Sequence, residues 1–151
     1  MKNVTVYLMN SNGYIMLLQD RRTRKWMTPG GMIEHNETPF KGMIREFKEE
    51  TNCNFPLHDY TIIREWLWHN HTKVYLIHSK HRFPTTFKQT NETIKRRFIH
   101  YTELHYIHDL KHYVKQSIRD LQLLQEITKL SLDVKKFDNP FSYYTKKAII
   151  V

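Results

Sequence analysis

A chain of 151 residues, 40% hydrophobic and 26% charged, has material for one domain over 1–151, and its broken apolar runs exclude a membrane span. The single cysteine, Cys53, excludes an internal disulfide framework. The opening MKNVTVYLMNSNGY lacks the pattern of a secretory leader, so a reducing, cytoplasmic location is expected. A net charge of +9 suits a field that steers an anionic ligand inward, while for any single basic residue a solvated surface is the plainer account.

Val4 to Met9 is apolar and β-branched, Asn10 to Gly13 supplies turn chemistry and Tyr14 to Leu18 is apolar again, which predicts a hairpin. The basic cluster Arg21, Arg22, Arg24 and Lys25 follows. Next comes Trp26-Met27-Thr28-Pro29-Gly30-Gly31, whose Pro-Gly-Gly predicts a turn where backbone closely approaches a neighbour. Thr38 before Pro39 is a helix start, since Thr caps free amides and Pro suits the first helical position. In that helix Phe40, Met43, Ile44 and Phe47 form an apolar stripe, and Glu46, Glu49 and Glu50 fan out beside it at about 100° per residue. Gly42 inside it costs about 1 kcal/mol relative to Ala and implies close packing or tolerated weakness.

Beyond this helix, Tyr60 to Trp68 and Lys73 to His78 read as strands, and Arg97 to Tyr101 as a further one. Leu110, Val114, Ile118, Leu121 and Leu124 predict a long amphipathic helix over Asp109 to Leu130, packed on the sheet; a coiled-coil partner helix is the weaker alternative. The class is α/β, with a tail over 132–151 whose structure the pattern leaves open.

Charge is unevenly distributed. From Gly31 to Phe55 three Lys and Arg face five Glu, a balance of −2 that leaves +11 on the rest of the chain. Glutamates so crowded in a basic protein call for a divalent cation, and Mg²⁺ is typically held by one or two carboxylates together with substrate phosphates. For a lone glutamate a solvated helix face is the better account. Ten histidines raise a zinc reading through His69 with His71, or His108 with His112. Structural zinc needs four ligands, so hydrogen-bonded or solvated histidine is preferred.

Gly31, five residues, Glu37, seven residues, Arg45-Glu46, Phe47, one residue, Glu49-Glu50, one residue, Asn52 and Cys53 together resemble the signature box of the Nudix hydrolases. Only Asn52 departs, standing where the family has glycine; Asn is the usual second choice for a left-handed residue after a helix. Cys53 at the last box position reads as a small buried hydrophobe. The resemblance extends over roughly Val4 to Leu130. It implies an α/β/α sandwich with a mixed sheet, the box loop and helix, and a long C-terminal amphipathic helix.

The resemblance further implies hydrolysis of a diphosphate linkage with Mg²⁺ or Mn²⁺. Glu46 and Glu50 stand as principal metal ligands, with Glu49 in support or activating water. The Gly30 carbonyl stands as a backbone ligand, and Arg45 with Glu37 as the salt bridge tying loop to helix. Glu92 is the preferred general base, with Glu103 as the alternative.

For the substrate, the basic residues resemble those of diphosphoinositol polyphosphate and diadenosine polyphosphate hydrolases, with Arg21, Arg22, Arg24, Lys25, Lys95, Arg96 and Arg97 as candidate phosphate contacts. Capped RNA is a second candidate, with Trp66, Trp68 or Tyr75 stacking on a base. Hydrolysis of nucleoside triphosphates is a third, and a non-catalytic nucleotide-binding module is the alternative of a different class. No membrane and no obligatory protein partner is expected.

Overall fold

The computed structural model describes residues 2–119. Strands β1 (Asn3–Met9) and β2 (Tyr14–Asp20) flank a turn in which Asn10 Oδ1 accepts from the Asn12 and Tyr14 amides at 3.0 and 2.9 Å. The expected hairpin forms at its mouth, where Met9 pairs with Ile15, and then its arms diverge. The gap is filled from further along the chain. Strand β3 (Trp26–Met27) pairs with β2 through Leu18 and Gln19, while β4 (Gly30–Met32) pairs with β1 from Asn3 to Thr5. Between them the Val6 amide donates to the Pro29 carbonyl at 3.0 Å, so the chain around Pro-Gly-Gly wedges the hairpin open. A β-carbon on Gly30 would stand 2.2 Å from the Val4 carbonyl oxygen, which is the close approach that the glycines predicted.

β1 runs parallel to β6 (Thr72–His78) from Asn3↔Thr72 to Met9↔His78, and β6 pairs antiparallel with β5 (Thr61–Trp68). On the other side β2 pairs antiparallel with β7 (Thr93–His100), completing a seven-stranded mixed sheet. β7 begins earlier than the sequence predicts, because β2 pairs straight through the charged Lys95-Arg96-Arg97. Tyr101, the expected strand end, instead opens a 3₁₀ segment, Tyr101–Tyr106. Six consecutive buried residues on β1 indicate a strand covered on both faces.

The covering layers are two helices. α1 (Pro39–Thr51) starts on Thr38, whose hydroxyl accepts from the Lys41 amide at 3.2 Å, and ends on Asn52 in the left-handed conformation at φ 58°. Its stripe buries Met43 and Phe47, and Phe40 meets the Tyr75 ring of β6 edge-on at 5.6 Å. Complete burial of a side chain such as Phe47 contributes roughly 1.5–3 kcal/mol. Tyr75 pairs with Val6, so that face of β1 looks toward α1. The adjacent Tyr7 points the opposite way, its buried hydroxyl bonded to Ser117 of α2 (His112–Arg119). The sandwich is therefore α/β/α. The expected helix over 109–130 begins at His112, with Leu110 and Val114 buried; Leu121, Leu124 and the tail lie outside the described residues. No helix among the described residues is long and apolar enough to cross a membrane.

Candidate active site

The loop between β4 and α1 is tied down by one guanidinium. Arg45 Nε donates to Glu37 Oε2 at 2.8 Å and Nη2 to Glu37 Oε1 at 3.0 Å, a two-point grip that fits the flat fork of arginine to a carboxylate. Nη2 also reaches the Met32 carbonyl at 2.9 Å, and Nη1 the Glu46 carboxylate at 3.0 Å. The Arg45 hydrogen bonds, with support from the Glu34–Glu37 turn, hold the Glu37 carboxyl down at about 2. Thus the bridge between loop and helix also orients an acidic side chain one helical position beyond it. Glu49, exposed, lies 3.3 Å from the same guanidinium.

Glu46 and Glu50, one turn apart, face inward from α1 and are 9% and 3% exposed. The Glu50 carboxylate accepts from the Gly30 amide at 2.8 Å, so the Pro-Gly-Gly turn positions it. A β-carbon on Gly31 would stand 2.4 Å from the Glu46 carboxyl carbon; only glycine leaves that space open. Glu92 arrives from the loop that leads into β7. The Thr93 hydroxyl donates to the Glu50 carbonyl at 2.6 Å, and the Arg21 amide donates to the Glu92 carbonyl at 2.8 Å. Arg21 Nη2 further bonds Gln89 Oε1 and the Thr90 carbonyl, clamping the loop that carries Glu92.

Together Glu46, Glu50 and Glu92 bring carboxylate oxygens within 4.8 Å of one another. Burial, and then the neighbouring Glu46 and Glu92 charges, push the Glu50 carboxyl well above its ordinary range; burial likewise raises Glu46. Three carboxylates in this state repel unless a proton or a cation sits among them. An all-oxygen donor set is the set that Mg²⁺ or Mn²⁺ prefers, so the residues fit a divalent cation. Among the described residues this is the one such group of three or more potential ligands.

The acidic group opens onto a cavity of about 660 Å³, within the range of small-molecule sites. Its walls include Glu50, Glu92 and Gly30, the cations Arg21, Arg22 and Lys111, and the rings of Trp68, His71 and Tyr113. Lys111 lies 3.8 Å from Asp20, and Tyr113 donates to the Thr28 carbonyl at 3.3 Å. Burial pushes the Tyr113 phenol up to about 12, so it remains a neutral hydrogen-bonding group across physiological pH.

The basic residues singled out in the sequence separate spatially. Arg22 lines this cavity, with Arg21 beside it. Lys95, Arg96 and Arg97 line a different hollow on β7, where Arg97 lies over the Trp26 ring at 5.4 Å and Arg96 over Phe87 and Phe98. Arg24 and Lys25 are exposed in the turn between β2 and β3, outside the cavity lining. Glu103 lines a third hollow with Arg97, remote from the acidic group in its lining, whereas Glu92 joins it. Sequence reasoning missed Lys111 and Tyr113. Their signal was the helix period itself, since buried Leu110 and Val114 leave the intervening residues at the edge of the sheet, facing the turn at Trp26.

The fold has counterparts. Solved structures with the same fold include a MutT protein from Methanosarcina mazei Go1, 22% identical, covering 82% of this chain and 93% of that one at a TM-score of 0.57. A C. elegans Ap4A hydrolase is 17% identical over 82% of this chain and 97% of its own, with TM-score 0.60. The E. coli dihydroneopterin triphosphate pyrophosphohydrolase is 18% identical over 77% and 90%, with TM-score 0.58. At such identities the likeness concerns the fold. A search of the curated proteins found no match. The family comparison matches the NUDIX domain over residues 1–121, and the chain therefore belongs to the NUDIX domain family, a hydrolase of phosphorus anhydrides.

Proposed function

We propose that the protein hydrolyses the diphosphate linkage of a phosphorylated nucleoside, with a dinucleoside polyphosphate as the preferred class. The observation that carries this is the cavity lining: an acidic group and a few cations share one wall system with Trp68, His71 and Tyr113. A diphosphoinositol polyphosphate needs cations on nearly every side. Here Arg21 is engaged with the Glu92 loop, which leaves two lining cations, Arg22 and Lys111, to meet phosphate. The aromatic and amphipathic walls suit a flat base better.

In this reading Glu46 and Glu50 hold Mg²⁺ or Mn²⁺, the Gly30 carbonyl adds a backbone oxygen, Glu49 supports from the exposed side, and Glu92 stands beside them as the base. When bound, the cation offsets charge on the phosphoryl oxygens and polarises water. Gly30 orients Glu50 through its amide, and Arg45 fixes Glu46, so both carboxylates are preset rather than recruited. Glu92, at the solvent edge of the group, accepts the proton of the attacking water. Arg22 and Lys111 neutralise and position the phosphate chain, and Trp68 with His71 receives the base. A cytoplasmic location agrees with such a substrate.

The test is product release from a panel of dinucleoside polyphosphates, diphosphoinositol polyphosphates, capped RNA and nucleoside triphosphates, with Lys111→Ala alongside. The expected result is preferred cleavage of the dinucleoside compounds and a KM raised roughly tenfold by Lys111→Ala, as for loss of one charge-assisted contact. Preference for the inositol compounds would overturn the substrate assignment.

A further inference from the structure

At the opposite end of β1 from Asn3 lies a second cleft, of about 540 Å³, that shares no lining residue with the catalytic cavity. Its floor is the end of β1, and its sides are the Asn10–Tyr14 turn and the segment leaving β6. Three consecutive residues of that segment, Lys80, His81 and Arg82, bring basic side chains, and the aromatic rings of Tyr14, Phe83 and Phe98 complete the walls. No carboxylate lines it among the described residues.

The rings are already arranged. Phe83 and Phe98 lie 6.4 Å apart with planes 27° from parallel, His81 meets Phe83 edge-on at 4.7 Å, and Phe83 is anchored against Phe47 of α1. Phe98 and Tyr14 nonetheless remain 39% exposed, although both are large enough to contribute to a core. The row continues on the same face of β7. Arg96, two residues before Phe98, spreads over the Phe98 ring at 5.1 Å and the Phe87 ring at 5.7 Å, and a hydrogen bond to the Pro84 carbonyl fixes it there. Arg96 and Phe98, alternate residues on one face of β7, form with Phe87 a cation–ring stack along the edge of the cleft.

Partly exposed rings interleaved with cations, with no acid among the cleft walls, are the elements that bind single-stranded nucleic acid: bases stack on rings and guanidinium planes, and the backbone follows the positive charge. We propose that this cleft and the Phe98–Arg96–Phe87 row form a binding site for a short single-stranded nucleic acid, separate from the catalytic cavity. A bare phosphate would have no use for the rings. An apolar peptide would have none for three basic neighbours. The fold places the site on the α1 side of the sheet, where Phe83 joins it rigidly to the helix that carries the glutamates. The inference concerns a different surface from the proposed hydrolase site and stands or falls separately from it.

The experiment is fluorescence anisotropy of a labelled eight-nucleotide RNA with a 5′-hydroxyl, which contains no phosphoanhydride, titrated with the full chain at two salt concentrations. The expected result is saturable binding that weakens as salt rises, at least tenfold weaker binding to a duplex of the same sequence, and roughly tenfold weaker binding by Phe98→Ala and by Arg82→Ala. Both variants keep the wild-type rate on a nucleoside triphosphate or dinucleoside polyphosphate, which also shows that they fold. Glu50→Gln keeps the RNA affinity, so failure of the hydrolase assay and failure of RNA binding are separate results. Absence of RNA binding, equal affinity for duplex, or indifference to both substitutions would overturn the proposal.

Discussion

Gly31 and Glu46 occupy one space: a β-carbon at Gly31 would lie 2.4 Å from the Glu46 carboxyl carbon and 2.5 Å from its Oε1. The backbone of β4 needs no glycine there for its own conformation. The residue is small so that a carboxylate on another element can approach the strand.

Gly31→Ala therefore separates activity from stability. The clash falls on the far end of the Glu46 side chain and not on backbone, so the carboxylate turns away at the loss of its Arg45 contact and the melting temperature falls by only a few degrees. The displaced Glu46 leaves the acidic group, and turnover falls by about 10²-fold, the order expected for a catalytic group moved by an ångström. Thermal denaturation beside steady-state kinetics checks it; an active variant would mean that Glu46 is not held where the chemistry needs it.

The Arg45–Glu37 grip gives a pH signature. Glu37 is held at about 2 in the fold, below its ordinary 4.5, so its stabilising contribution is full above the unfolded value and is lost as pH falls toward 2. The melting temperature of Glu37→Gln should lie below wild type at pH 6, and the two curves should converge between about pH 4.5 and 2. A constant difference over that interval would contradict the ion-pair account.

Asn52 closes α1 in the left-handed region at φ 58° and ψ 22°. Asn52→Gly should change stability by a few tenths of a kcal/mol, while Asn52→Val should cost about 1–2 kcal/mol. Urea unfolding of both variants measures this.

The divergence between reading and structure has a physical pattern. Features written locally were legible: the Thr38 cap, the stripe of Phe40, Met43 and Phe47 and the left-handed Asn52 each depend on neighbours a few residues away, and Pro-Gly-Gly signalled a close approach without naming its partner, Val4, which is distant in the chain. The opening of the hairpin was not, because it depends on Trp26 to Met32 entering between β1 and β2 from outside. The cavity walls were legible only in part. Arg22 was read from charge and Trp68 as a stacking ring, but Lys111 and Tyr113 join them from the start of α2, far from both in the chain. Charge clusters also mislead where a strand alternates: Arg96 and Arg97 are neighbours in sequence, yet one lies over Phe98 and the other over Trp26.

Glu50 links the site to stability. Its carboxyl is buried beside Glu46 and Glu92, so without a cation the ionised side chain costs the fold free energy. In chelator Glu50→Gln should melt higher than wild type, and added Mg²⁺ should raise the wild-type melting temperature more than that of the variant. Equal responses to Mg²⁺ would mean that Glu50 does not hold the ion.

The most direct measurement is the rate of phosphoanhydride cleavage by wild type and Glu50→Gln, with Mg²⁺ or Mn²⁺ and again with chelator, on a dinucleoside polyphosphate. Cation-dependent turnover that drops by at least 10³-fold in Glu50→Gln, with an unchanged circular dichroism spectrum, is the predicted result, since removing a metal ligand forfeits several kcal/mol of transition-state stabilisation. A folded Glu50→Gln variant that still cleaves at the wild-type rate would contradict the assignment of the acidic group as the catalytic centre.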